Sequence, residues 1–133
     1  MRALDGRRVL LKVLDPRCCR ERDLEQLRNE LSTAASLDPR TVVRPLALDT
    51  YQGMPALALE DAGGHSLDRL LGGPMPLDRF LVLAARIADA VAEVHRQGVV
   101  HKDLKPANLV VDPATSDMRI TDFGLASRLP REE

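Results

Sequence analysis

Aromatic residues are nearly missing from this chain: there is no tryptophan, and Tyr51, Phe80 and Phe123 are its only aromatic side chains. Any core must therefore be assembled from leucine, valine and alanine. Cysteine is scarce too. Cys18 and Cys19 are adjacent, which excludes a disulfide framework and points to a reduced, cytoplasmic setting. Neither sign of charge dominates, and a net charge of −1 gives no electrostatic case for nucleic acid or an acidic membrane surface as partner. Long apolar runs are missing as well. The opening Met-Arg-Ala-Leu-Asp-Gly-Arg-Arg has no signal-peptide core, and Phe80 to Val94 is broken by Arg86, Asp89 and Glu93, so no membrane span is expected. The three histidines, 65, 95 and 101, lack zinc spacing, and there is no internal repeat.

What is present suits one globular domain: 133 residues, 44% hydrophobic and 29% charged. The start predicts the end of one strand, an Asp5-Gly6 turn and a second strand over Arg8 to Leu14. A helix is expected from Arg20 to Ala35, because Leu24, Leu27, Leu31 and Ala34 or Ala35 recur at helical spacing. Glu30 lies about 60° round from Leu27 on that helix, hence on its apolar face. Its neighbours three and four residues away are Leu27, Gln26, Thr33 and Ala34, none of them basic, so a partner must come from elsewhere.

Two apolar runs, Thr41 to Leu48 and Met54 to Leu59, flank a turn at Gln52-Gly53 and predict a small sheet. Glu60-Asp61-Ala62-Gly63-Gly64 follows as a connector. Ser66 is expected to cap a short helix over Leu67 to Leu71. A longer helix should run from Pro76 to about Gln97 and stop at Gly98, with Phe80, Leu83, Ile87, Val91 and Val94 as its apolar stripe and too little protein here to cover it. Strands at Leu109 to Val111 and Met118 to Thr121 enclose a turn over Asp112 to Asp117.

The chemistry-bearing stretch is His101-Lys102-Asp103-Leu104-Lys105-Pro106-Ala107-Asn108, with Asp122-Phe123-Gly124 fourteen residues after the asparagine. Together these resemble the catalytic and metal-binding loops of protein kinases. Val9-Leu10-Leu11-Lys12 resembles the strand that carries the kinase phosphate-binding lysine. The resemblance implies an α+β, two-lobed protein-kinase-like fold truncated at both ends. It divides into a partial β-rich small lobe (1–59), a hinge (60–64) and the first part of a helical large lobe (65–133).

By that resemblance Asp103 accepts the proton of the attacked hydroxyl and Lys105 steadies the γ-phosphate of ATP. Asn108 and Asp122 hold Mg²⁺, and Lys12, paired with Glu30, holds the α- and β-phosphates. Adenine would meet a Glu60 carbonyl and an Ala62 amide, with Val110 beneath it and Leu59 behind. His101 is expected to pack rather than to react. Lys105, two residues after Asp103, matches the serine/threonine pattern, so the implied activity is phosphorylation of a protein substrate in signalling.

Two letters depart from the family. Lys102 stands where arginine is usual, which argues against control by a phosphorylated activation loop, because lysine cannot make the bidentate contact. Leu10 replaces the usual alanine above adenine and would narrow that pocket. No Gly-x-Gly-x-x-Gly precedes Lys12 and no Ala-Pro-Glu follows Gly124, so the match corresponds to about half a kinase domain. Low activity and marginal stability are therefore expected of these 133 residues alone. The Asp-Phe-Gly-Leu-Ala-Ser run looks most like kinase domains that head larger bacterial signalling proteins. The alternatives are an inactive kinase-derived module that binds a nucleotide or a partner, and a gene fragment with no function of its own.

Overall fold

A computed structural model describes residues 6–17 and 19–130. The expected first strand, Asp5, Cys18 and the last three residues of the tail lie outside these.

Strand β1 (Val9–Val13) pairs antiparallel with β3 (Met54–Glu60), which also pairs with β2 (Pro45–Tyr51), giving the order β1-β3-β2. The β2–β3 hairpin turns on Gln52 and Gly53 at φ of 51° and 79°. That is the two-residue turn whose positive φ angles match strand twist.

Helix α1 (Glu21–Ala34) packs on this sheet. Asp23 accepts the Arg20 N–H at its start, at 2.9 Å, satisfying a donor that the first turn leaves free. Leu27 is fully buried with Val43, Leu57 and Leu59 beneath the helix.

A second three-stranded sheet, β4-β6-β7, is built from β4 (His65–Ser66), β6 (Leu109–Val111) and β7 (Met118–Ile120). Helices α2 (Leu67–Leu70) and α3 (Leu77–Arg96) lie between β4 and β5 (Val99–Val100) in sequence, and β5 pairs with β8 (Ser127–Arg128). Gly98 at φ 74° ends α3, a left-handed cap that glycine adopts without strain.

Two expectations need correcting, and one divides. Ser66 stands at the N-cap of α2, but its side chain makes no capping bond. The run Thr41 to Leu48 is not one strand. Only residues from Pro45 on join the first sheet, while Val42 forms a parallel bridge to Ile120 of the second. There the Ile120 N–H donates to the Thr41 carbonyl, and the Val43 N–H to the Ile120 carbonyl, each at 2.9 Å. Proline at 45 cannot donate a ladder bond, so the strand begins there. The α3 stripe also divides: Leu83 and Val94 are buried and Ile87 and Val91 half-buried, whereas Phe80 is 54% exposed. Ala90 takes the buried place that Phe80 does not, because the inner face of α3 meets β7 and β5 through its later turns.

One core cluster joins Ala34, Leu37 and Val42 to Leu83, Val94, Ile120 and Phe123. The α1–β2 connection is therefore held to the second sheet by apolar contact as well as by main-chain bonds.

Candidate active site

Lys12 leans from β1 into the space between sheet and helix. Its ammonium lies 2.8 Å from Glu30 Oε2 and 2.8 Å from Asp122 Oδ1. Glu30 is only 2% exposed, on the inner face its position in α1 requires. Burial pushes its carboxyl above the usual carboxylate range, with Lys12 drawing it back. Burial alone would lower the Lys12 ammonium, but hydrogen bonds to Asp122 and Glu30 outweigh it, and its pKa is raised. Strand, helix and the Asp-Phe-Gly turn thus meet on one ion cluster.

The loop over 101–108 forms the other wall. Asn108 is buried on a single 3-10 turn (Pro106–Asn108), and its Nδ2 donates to the Asp103 carbonyl at 2.9 Å and to Asp103 Oδ2 at 3.2 Å. Lys105 Nζ lies 2.9 Å from the same Asp103 Oδ2. That ammonium is the main reason the Asp103 carboxyl is held below the usual aspartate range.

His101 locks the two loops together. Its Nδ1 accepts the Asp103 N–H at 3.2 Å, so Nε2 is the nitrogen that donates to the Thr121 carbonyl, at 2.8 Å. The Thr121 N–H in turn donates to the Asn108 carbonyl at 3.0 Å. The His101 ring meets Phe123 edge-on, centroids 4.7 Å apart. Lys102 and Asp122 both have left-handed φ, 67° and 65°. For a non-glycine residue this costs on the order of 1–2 kcal/mol and persists only where the surroundings impose it.

The connector toward β4 is braced by a side chain. Glu60 Oε1 accepts the Arg44 N–H and Arg119 Nη1, each at 2.9 Å. Ala62 and Val110 are half-buried against the Leu27–Val43–Leu57–Leu59 cluster. Gly64 is required by space: a Cβ there would stand 2.7 Å from the Val111 carbonyl oxygen and 2.9 Å from Val110 Cγ1. Leu10 is 53% exposed at the sheet's edge.

Two features escaped the sequence. One is the direct contact of Lys12 with Asp122; the other is Asn29, whose amide reaches the carbonyls after Asp122. Neither leaves a local sequence signal, since their partners lie about a hundred residues away.

Residues 1–133 match the protein kinase domain family, and the chain belongs to it. It is 32% identical over 127 residues to a probable serine/threonine-protein kinase, pknA2, of Bifidobacterium longum, covering 91% of this chain and 17% of that protein. It is 35% identical over 126 residues to the serine/threonine-protein kinase PkaA of Streptomyces coelicolor, covering 91% and 23%. The plant CBL-interacting serine/threonine-protein kinase 26 of Arabidopsis thaliana is 31% identical over 125 residues, covering 92% and 28%. The chain spans less than a third of each of these relatives.

Kinases of this family generally use ATP and Mg²⁺, and the donor set here is compatible with both. Among the described residues no group of three or more His, Cys, Asp or Glu gathers into a metal cluster. Magnesium does not need one, because one or two protein oxygens suffice beside water and phosphate. Asp122 has one carboxylate oxygen on Lys12 and a second besides, and Asn108, donating through Nδ2, retains its amide oxygen as an acceptor. No helix among the described residues is long and apolar enough to cross a membrane.

Proposed function

We propose that this chain carries part of the catalytic machinery of a serine/threonine protein kinase, moving the γ-phosphate of ATP to a protein hydroxyl. The observation that carries the proposal is the ion cluster of Lys12, Glu30 and Asp122, with both contacts at 2.8 Å. Glu30 holds Lys12 where an anionic phosphate can meet it. Asp122 and Asn108 are the oxygens offered to Mg²⁺, which neutralises phosphate charge when bound. Asp103, ionised and steered by Asn108, orients the attacking hydroxyl and takes its proton, while Lys105 faces the transferred phosphate. Phosphoryl transfer depends mostly on such positioning, since its loose transition state asks little covalent help.

Adenine is placed against the backbone at Glu60 and Ala62, over Val110 and before Leu59. In this reading residues 1–59 and 65–133 are parts of the two lobes, and 60–64 is the hinge between them. Mg²⁺, ATP and a reduced Cys19 thiol all suit the cytoplasm, and the natural context is a larger signalling protein.

Fluorescent ATP titrated into the chain should bind more tightly with Mg²⁺ than with EDTA, and Asp122→Asn should remove the difference. Transfer of radiolabelled phosphate to a generic protein, however slow, should vanish in Asp103→Asn. Nucleotide binding indifferent to Mg²⁺, or transfer that survives Asp103→Asn, overturns the proposal.

A further inference from the structure

The turn that follows Asp122 is wrapped around one side chain of α1. Asn29 Nδ2 lies 3.0 Å from the Gly124 carbonyl, 3.0 Å from the Ala126 carbonyl and 3.3 Å from the Phe123 carbonyl. An amide nitrogen has two hydrogens, so three carbonyls on it demand that the turn curl closely about the group. The other end is anchored as well: Asn29 Oδ1 accepts the hydroxyl of Thr33, a buried residue, at 3.3 Å. The turn closes on itself through the Ala126 N–H and the Phe123 carbonyl, at 3.1 Å.

Gly124 permits the close approach. A Cβ there would stand 3.3 Å from Gln26 Cβ and 3.4 Å from the Gln26 carbonyl oxygen. Gln26 and Asn29 therefore approach the segment from Phe123 to Ala126 from adjacent turns of one helix. Glu30 shares the Lys12 ammonium with the Asp122 carboxylate, and Asn29 Nδ2 donates to the carbonyls that follow. The strained φ of 65° at Asp122 lies between these two attachments.

We propose that Asn29 is a positioning residue, which fixes the conformation of the turn after Asp122 and through it the direction of the Asp122 carboxylate. The consequence for metal binding rests on Asp122 being the carboxylate that holds Mg²⁺. The consequence for the turn does not. Asn29 makes no hydrogen bond to Lys12, which Glu30 holds independently at 2.8 Å, so its loss should weaken metal-free nucleotide binding far less than the response to Mg²⁺.

The test uses Asn29→Ala, Asn29→Asp and Asn29→Gln in the full chain. Aspartate keeps the size but cannot donate and sets a charge against three carbonyls; glutamine keeps the donor. Hydrogen exchange of the 122–127 segment should quicken at least tenfold in the alanine and aspartate variants. The β2–β3 hairpin should stay within twofold, and glutamine should restore much of the protection. The ratio of ATP affinities with and without Mg²⁺ should fall at least fivefold in the alanine variant, with the metal-free affinity within twofold of the parent.

Uniform acceleration along the chain, or an aspartate variant that protects the turn as the parent does, overturns the proposal. If the alanine variant fails to fold, the comparison of aspartate with glutamine decides. If the parent shows no response to Mg²⁺, the kinase proposal fails, and the exchange data alone decide whether Asn29 holds the turn.

Discussion

Lys12 and Asp122, 110 residues apart in sequence, meet at 2.8 Å. The contact puts a β1 cation directly on the carboxylate that the proposal assigns to Mg²⁺, with Glu30 also on that cation. Lys12 is still 38% exposed at its side chain, so the cluster is accessible to an incoming phosphate.

Glu30→Ala should be the most informative change in the cluster. It leaves Lys12 with Asp122 alone and opens a void under α1. A fully buried pair broken on one side costs about 3–5 kcal/mol, and the exposure of Lys12 reduces this to about 1–3 kcal/mol. Urea unfolding of the variant beside the parent checks the figure. A variant as stable as the parent would mean that Glu30 orients Lys12 without supporting the fold.

Lys105→Ala should return the Asp103 carboxyl toward the ordinary aspartate value, as read by carbon-13 titration of the side chain. The sign follows from the depressed value in the folded chain. Such a group supports the fold above its unfolded pKa and loses that support as pH falls through its folded one. The variant should therefore titrate at higher pH and show a smaller drop in stability across the acid limb. An unchanged titration would mean that Lys105 is not the cause.

Gly64→Ala should destabilise the chain by about 1–3 kcal/mol, the range for forced overpacking. The atoms it would strike are the Val111 carbonyl and Val110, so nucleotide affinity should fall as well if adenine sits over Val110. Gly73→Ala, which meets nothing within 4 Å, is the control and should be near neutral in thermal unfolding.

Phe123→Ala should cost about 3–5 kcal/mol, because the ring is 0% exposed and sits in the cluster that joins α1 to the second sheet. Phe80→Ala should change stability by no more than about 0.5 kcal/mol and should raise solubility. Scanning calorimetry separates the two. Equal losses would mean that Phe80 is covered in solution.

Turnover by this chain should fall well below the ~1–100 s⁻¹ usual for kinases. Strand β1 is the edge of its sheet and the Lys12 side chain is 38% exposed, so a phosphate meeting Lys12 as proposed would stay open to water, and this chemistry depends on positioning. Steady-state transfer of radiolabelled phosphate, with Asp103→Asn as background, measures it. Robust turnover abolished by that substitution would show that an uncovered lysine suffices.

The sequence by itself determined the family, most of the longer elements and the inward face of Glu30. Motif letters in fixed order and the 3.6-residue period are local properties, readable without a partner. The strand at Leu109 to Val111, the turn at Gln52-Gly53 and the stop at Gly98 were legible for the same reason, since turn chemistry depends on the residue that must adopt positive φ. Tertiary structure alone decided what those elements meet. Period could not say that Phe80 would face outward while Ala90 faced in, because both lie where an apolar residue is allowed and only the neighbouring strands choose between them. Nor could it show that Thr41 to Val43 would bond to Ile120 instead of extending β2, or that Asn29 would gather three carbonyls. Those contacts join residues some eighty to a hundred positions apart, and a hydrogen bond at that separation exists only once the whole chain has folded around it.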